Sequence, residues 1–436
     1  MAVSAMSSGL TQTLQRLLAG RNVRAVAMVS AAWGVQFTCV VLASVMVARY
    51  LGPSQFGSIN YVTALMTFAS TVASFGMSTV VTRELVNGRY DREVILGTAV
   101  VTRASTGFVA ICVMLTYLHL FEPSATAVAL ASVAVGTLLL ESSLVFDCGM
   151  QAQRAFGSSS SAKALLAIGN LAMRGSLVLL GAGLVSFIAV QYAESLLYIL
   201  VFGWITRAYF KGMPARYDFR LARTLLLHGA PIMLAGIATA IYLRIDQVMI
   251  AHYLGTDALG RYSAGVKLAE VASAFPGIVA YVLFPSIIEA RKTSEEKAER
   301  EAIKLYRLMY VAGLGFSVVV TVIGDWLAQL MFGTAYEGAG TVLRVYAWST
   351  VFVFLHIASQ AQLLSQAKTT HVIVVRTVVG AVTNILLNLV LIPRMGIVGA
   401  AWATVVSYGV ALFFFFDRQY SWPPVRSMLR AAGLRV

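Results

Sequence analysis

Ten ionisable side chains lie inside long apolar runs of this 436-residue chain. Six are basic: Arg103, Arg174, Arg244, Lys267, Arg344 and Arg376. Four are acidic: Glu141, Glu194, Asp246 and Glu270. A charge surrounded by hydrocarbon is costly, so such groups face a polar interior or an opposite charge. The set leans basic. Guanidinium presents a planar fork of donors that matches phosphate oxygens. The chemistry expected of Arg174, Arg244, Lys267 and Arg376, with Arg103, is therefore capture of an anionic, phosphate-bearing substrate. Arg103 and Arg344 lie near enough to segment ends that their side chains are also expected to snorkel to a surface.

Spacing refines this. Lys267 and Glu270 are three apart and share a helix face, so they are expected to pair. Arg244 and Asp246 are two apart, diverge, and should meet different partners. Arg376, Gly380, Asn384 and Asn388 recur every four residues and form a polar stripe. Asn170 and Arg174 form a shorter stripe of the same kind. Two stripes at equivalent places would line a hydrophilic cavity, although each residue could equally serve as an interhelical bond. Glu194, Asp246 and Glu270 are the candidates for coupling transport to an ion. Nothing suggests covalent chemistry: no nucleophile stands beside a base, and the five histidines show no metal spacing. Cys39, Cys112 and Cys148 read as packing residues. Neither a metal nor a cofactor is expected.

The elements that hold these groups must be membrane helices. Hydrophobic residues make up 58% of the chain and charged residues 12%, far from the balance of a soluble domain. A bilayer crossing needs about twenty apolar residues as a helix. Twelve segments qualify: 26–48, 57–82, 94–118, 125–146, 163–184, 186–206, 225–251, 262–288, 306–324, 340–366, 371–391 and 397–416. The termini and the alternate connections on their side hold 24 Lys and Arg, counting Lys163 and Arg307 at the adjoining segment edges; the other connections hold only Arg49, Arg261 and Arg394. That bias places both termini in the cytoplasm and accounts for most of the +14 net charge. The basic loops lack aromatic interleaving and known nucleic-acid motifs, so no nucleic-acid partner is expected.

One phrase occurs twice. VMVARYLGPSQFG (45–57) and VMIAHYLGTDALG (248–260) share seven of thirteen positions at an offset of 203. Six segments separate the copies, so both run in the same direction. This predicts two parallel six-helix lobes related by an axis along the membrane normal, with the substrate path between them. Gly52 and Gly255 fall where a tight turn or close helix approach needs a missing side chain. Arg49 becomes His252 and Pro53 becomes Thr256, so the two corners differ chemically. The expected organisation is a surface helix at 1–25, an N-lobe at 26–206, a cytoplasmic linker at 207–224, a C-lobe at 225–416 and a cytoplasmic tail at 417–436.

Longer stretches carry a family resemblance. ARYLGPSQFGSINYVTALMTFASTVASFGMSTVVTREL (48–85), LRIDQVMIAHYLGTDALGRYSAGVKLAE (243–270), MFGTAYEGAGTVLRV (331–345) and NILLNLVLIPRMGIVGAAWATVVS (384–407) resemble segments of bacterial O-antigen and polysaccharide flippases. That family is the polysaccharide-transporter branch of the multidrug/oligosaccharidyl-lipid/polysaccharide exporter superfamily. The resemblance implies an all-α, V-shaped, two-lobed fold with a central cationic cavity. It implies movement of an undecaprenyl-diphosphate-linked oligosaccharide to the outer leaflet of the bacterial inner membrane. It further implies work on O-antigen, lipopolysaccharide or exopolysaccharide, beside a polymerase and chain-length machinery. The alternative is a proton- or sodium-coupled drug exporter of the multidrug and toxin extrusion type. Against it, segment one carries no charge and the interior leans basic.

Overall fold

A computed structural model describes residues 22–122, 124–153, 155–209, 216–364, 370–414 and 418–433. Every regular element among them is helical. Nine runs among the described residues are long and apolar enough to cross a membrane, but three of them, Ala31–Asn87, Phe219–Gly277 and His371–Phe413, hold 57, 59 and 43 residues. One crossing needs about twenty. Each long run is interrupted by a glycine in a conformation closed to helices: Gly52 (φ 73°, ψ 172°), Gly255 (φ 84°, ψ 176°) and Gly396 (φ 62°, ψ −144°). Positive φ is cheap only for glycine.

The chain folds back at these points. Across Gly255, the Tyr262 hydroxyl donates to the Asp246 carboxylate. Across Gly396, Asn384 donates to Thr404 (3.4 Å) and Ser407 (3.3 Å). These contacts are those of antiparallel neighbours. The twelve crossings are α1 (22–51), α2 (53–87), α3 (Arg92–Phe121), α4 (125–152), α5 (Phe156–Leu179), α6 (Leu184–Tyr209), α7 (219–254), α8 (256–293), α9 (Glu295–Phe332), α10 (339–364), α11 (370–395) and α12 (397–413). A last helix, α13 (Arg418–Ala431), packs against α9 and α10 through Arg430 to Glu299 (2.9 Å) and Gln362 to Ser427 (3.3 Å). Crossings 1–6 form the N-lobe and 7–12 the C-lobe. Gly52, Gly255 and Gly396 all fall at one end of the bundle, the turn end; the start of α1 and the end of α12 fall at the other, the terminal end.

Several boundaries differ from the sequence expectation. α7 starts at Phe219, where Asp218 caps it by accepting from the Leu221 amide at 2.8 Å. The stretch 289–305 is, as its mixed charges at helical spacing lead one to expect, helical apart from Ser294, whose hydroxyl starts α9. Most of the surface helix expected at 1–25 lies outside the described residues.

The lobes meet at both ends. At the turn end, the two copies of the repeated phrase face each other. At the terminal end, α2 breaks at Phe75 and Gly76, both left-handed (φ 48° and 65°). A Cβ on Gly76 would lie 2.7 Å from the Gly229 carbonyl of α7, and one on Gly229 would lie 2.3 Å from the Phe75 carbonyl. Backbone meets backbone here, and larger residues are excluded. The Thr106 hydroxyl of α3 caps the Ala73 carbonyl at 2.6 Å, beside the break.

Candidate functional site

Five charged residues predicted from the sequence, with Asn170 beside them, come together between the lobes. From the N-lobe, Arg174 on α5 bonds Glu194 on α6 at 3.0 Å and Asn170 at 2.9 Å. From the C-lobe, Arg244 on α7 approaches Glu270 on α8 at 3.6 Å. Lys267 reaches the other oxygen of Glu270 at 3.9 Å, the pairing expected from their spacing. Arg174 and Arg244 both lie close enough to Lys267 to act on it electrostatically. Three cations thus share two carboxylates, leaving one formal positive charge.

The two C-lobe cations share a depth. Arg244 and Lys267 flank Gly255 by similar numbers of residues, about 16–18 Å from the turn end at 1.5 Å per residue. Side-chain exposures of the five run from 18% to 33%, so the cluster is neither dry nor at the surface. A pocket of about 210 Å³, lined by Val40, Asn170, Glu194 and Tyr198 among others, opens beside the Arg174 pair.

The other predicted residues lie elsewhere. Arg376, Asn384 and Asn388 are 1%, 1% and 0% exposed, inside the C-lobe. Arg376 donates to Ser359 of α10 at 3.0 Å. Asn388 donates to Asn384 at 2.9 Å, and Asn384 to α12. Gly380, on the same stripe, packs against Tyr242 and Ala411. A four-residue repeat selects one face of a helix but does not say whether that face meets water or a neighbour; here it meets α7, α10 and α12. Nor are the two stripes at equal depth. Arg174 lies near the turn-end terminus of α5, whereas Arg376 lies near the opposite end of α11.

Arg103 does not snorkel. It is 3% exposed and donates to Ser78 of α2 at 3.3 Å. Arg344 does sit near a surface, paired with Asp325 at 2.9 Å. Glu141 accepts from Ser70 at 2.6 Å. Asp246 is 5% exposed and is held by Tyr262 and by the Gln247 amide (2.8 Å). It therefore parts from Arg244, as two-residue spacing required.

The sequence marks Arg49 as a basic residue on the sparsely charged side and as a chemical difference between the two corners, but not its partners; Tyr336 it does not single out. The Arg49 guanidinium donates to the carbonyls of Met331 (2.7 Å) and Leu330, across the lobe boundary. In return the Tyr336 hydroxyl donates to the Ala48 carbonyl at 2.6 Å.

Comparison with known proteins settles the family. The model of the family described as polysaccharide biosynthesis protein matches residues 23–291. The chain belongs to that family. A second model, described as MatE, matches residues 231–390. This family member is a polysaccharide flippase of the exporter superfamily, a transporter rather than an enzyme. It is similar to the probable low-salt glycan biosynthesis flippase of Haloferax volcanii, 24% identical over 412 residues, covering 89% of this chain and 84% of that one. It is 31% identical over 166 residues to an uncharacterised membrane protein of Bacillus subtilis, covering 37% of this chain and 31% of the other. Among solved structures, the lipid II flippase MurJ in its inward closed conformation superposes with TM-score 0.72 at 13% identity, over 93% of this chain and 91% of the other. An inward-facing multidrug transporter of the same superfamily superposes with TM-score 0.68 at 14% identity, over 91% and 95%. These likenesses establish the two-lobed fold.

Proposed function

We propose that this flippase moves an undecaprenyl-diphosphate-linked oligosaccharide from the cytoplasmic to the outer leaflet of a bacterial inner membrane. One observation carries the reading: Arg174 from one lobe lies within electrostatic reach of Lys267 in the other, beside Arg244, and the group has a positive charge in excess. A diphosphate bridging the lobes supplies the missing negative charge. The ion pairs to Glu270, at 3.6 and 3.9 Å, are long, so an incoming phosphate can displace the carboxylate. The names of two relatives, a probable glycan biosynthesis flippase and a probable flippase, support a glycan as cargo. The charge bias along the loops supports a cytoplasmic terminal end.

The glycan and diphosphate enter between the lobes while the polyprenyl tail stays in lipid. An apolar pocket of about 290 Å³ on the seam of α2, α3 and α7, lined by Leu65, Phe68, Met114, Ile245 and others, gives the tail a route outward. The lobes then exchange which end is open. Phosphate binding alone cannot drive the cycle, because a ligand shifts an equilibrium only through different affinities for its two states. Asp246, buried beside the cluster and bridging α7 to α8, is the coupling group of choice over Glu194 and Glu270, which already neutralise cations. A polymerase and chain-length machinery would take the cargo on the far side.

Gene deletion with precursor analysis tests this. Lipid-linked oligosaccharide should accumulate on the cytoplasmic side while a surface polysaccharide disappears. Unchanged surface glycan together with altered drug sensitivity would overturn the reading in favour of a small-molecule exporter, the activity that the MatE match over 231–390 makes the competing choice.

A further inference from the structure

The turn end is shut by a reciprocal exchange between the lobes. The last carbonyls of a helix have no partner within it and carry the negative end of its dipole. The end of α9 in the C-lobe presents Leu330 and Met331 in this way, and Arg49 of the N-lobe donates to both. The end of α1 in the N-lobe presents Ala48, and Tyr336 of the C-lobe donates to it at 2.6 Å. Each lobe satisfies the helix end of the other. Between these bonds the repeated phrases meet: Gly57 faces Thr256, Gly260 faces Pro53, and the hydroxyls of Ser54 and Thr256 are 3.4 Å apart. Position 252, the repeat partner of Arg49, is a histidine whose ring lies against the neighbouring Tyr253 (centroids 5.3 Å). The guanidinium bond is therefore made once, on one side of the pseudo-symmetric pair.

We propose that Arg49 and Tyr336 are positioning residues for transport: a latch that holds the turn end shut and must release in every cycle before cargo leaves there. The proposal concerns a state of the transporter and does not depend on which substrate is carried.

The test uses the full chain with Cys39, Cys112 and Cys148 replaced by Ala and Lys267→Cys as a reporter between the lobes. Right-side-out and inside-out vesicles are treated with a membrane-impermeant thiol reagent. The turn-end side is the one from which Asp257→Cys, an exposed position, is labelled in a parallel sample. Loss of a charge-assisted bond is expected to shift the gate by roughly tenfold. Arg49→Ala should therefore speed labelling of the reporter from that side about tenfold, with Arg49→Lys in between and Tyr336→Phe shifting it less in the same direction. Unchanged labelling in both Arg49→Ala and Tyr336→Phe, at normal protein level, overturns the latch. A second arm adds Ser54→Cys and Thr256→Cys to the Arg49→Ala chain. Formation of this disulfide shows that the corner is folded. It should return labelling to the slow rate, and reductant should release it. Fast labelling of the fully cross-linked protein overturns the proposal. No glycan is needed, so a wrong substrate assignment leaves the result intact.

Discussion

A Cβ built on Gly57 would stand 1.8 Å from the carbonyl oxygen of Thr256. The reverse contact, Gly260 against the Pro53 carbonyl at 1.9 Å, completes an isologous pair, as a two-fold relation requires. Neither backbone can yield without parting the lobes. Gly57→Ala and Gly260→Ala should each open the turn end. In a Ser54→Cys/Thr256→Cys chain, copper-catalysed cross-linking should fall several-fold, and a yield equal to that of the glycine parent would refute the contact.

Arg174 is the cluster cation supplied by the N-lobe. Arg174→Ala should cut flipping about tenfold or more, the loss of one charge-assisted phosphate contact, with folded protein retained. Accumulated lipid-linked precursor per unit of transporter is the measurement. Arg174→Lys, which keeps charge but loses the fork, should recover only part of the activity.

Glu270→Gln removes the carboxylate shared by Arg244 and Lys267. Two half-buried cations then repel each other without compensation. The expected cost is about 1–2 kcal/mol, below that of a fully buried pair because water reaches the site. A melting curve in detergent should shift down. Added diphosphate ligand should restore more stability to the variant than to the parent, and an equal shift in both would argue against a phosphate site here.

Asn384→Ala and Asn388→Ala act within the C-lobe. Interhelical hydrogen bonds in membranes contribute about 0.6 kcal/mol on average and up to about 1.7. Each variant should lose stability in that range while activity per folded molecule holds. A change in apparent substrate affinity with unchanged melting would place these residues in the path after all.

Asp246→Asn keeps the geometry and removes the charge. If Asp246 couples transport to an ion, flipping in the variant should become insensitive to collapse of the proton or sodium gradient. Persistent sensitivity would assign coupling elsewhere.

The sequence carried the lobes, the twelve crossings and the corners at Gly52 and Gly255, because apolar length, charge asymmetry and a 203-residue repeat are all local or periodic signals. It also carried the Lys267–Glu270 pair, which depends only on helix geometry. It did not carry the sharing of Glu270 with Arg244, since that contact depends on antiparallel register about Gly255. Asp246 and Tyr262 obey the same register, and knowing the turn would have exposed both. The burial of Arg376 was hidden for another reason: spacing along α11 fixes a face, but only the neighbours decide what the face meets. Arg49 stood out as a topology charge and as a difference between the two corners, but its bonds stayed hidden because its partners are backbone carbonyls, which no residue type reveals.

The glycine turns bear on how the protein is made. With essentially no loop at Gly52, Gly255 or Gly396, neither helix of such a pair can be handed to the lipid long before the other. These pairs are expected to enter the bilayer as hairpins, with the partners of Asp246 and Asn384 on the arm that follows them. A mutation that straightened one of these corners would therefore act during synthesis, as a stalled or inverted insertion, before any transport cycle begins.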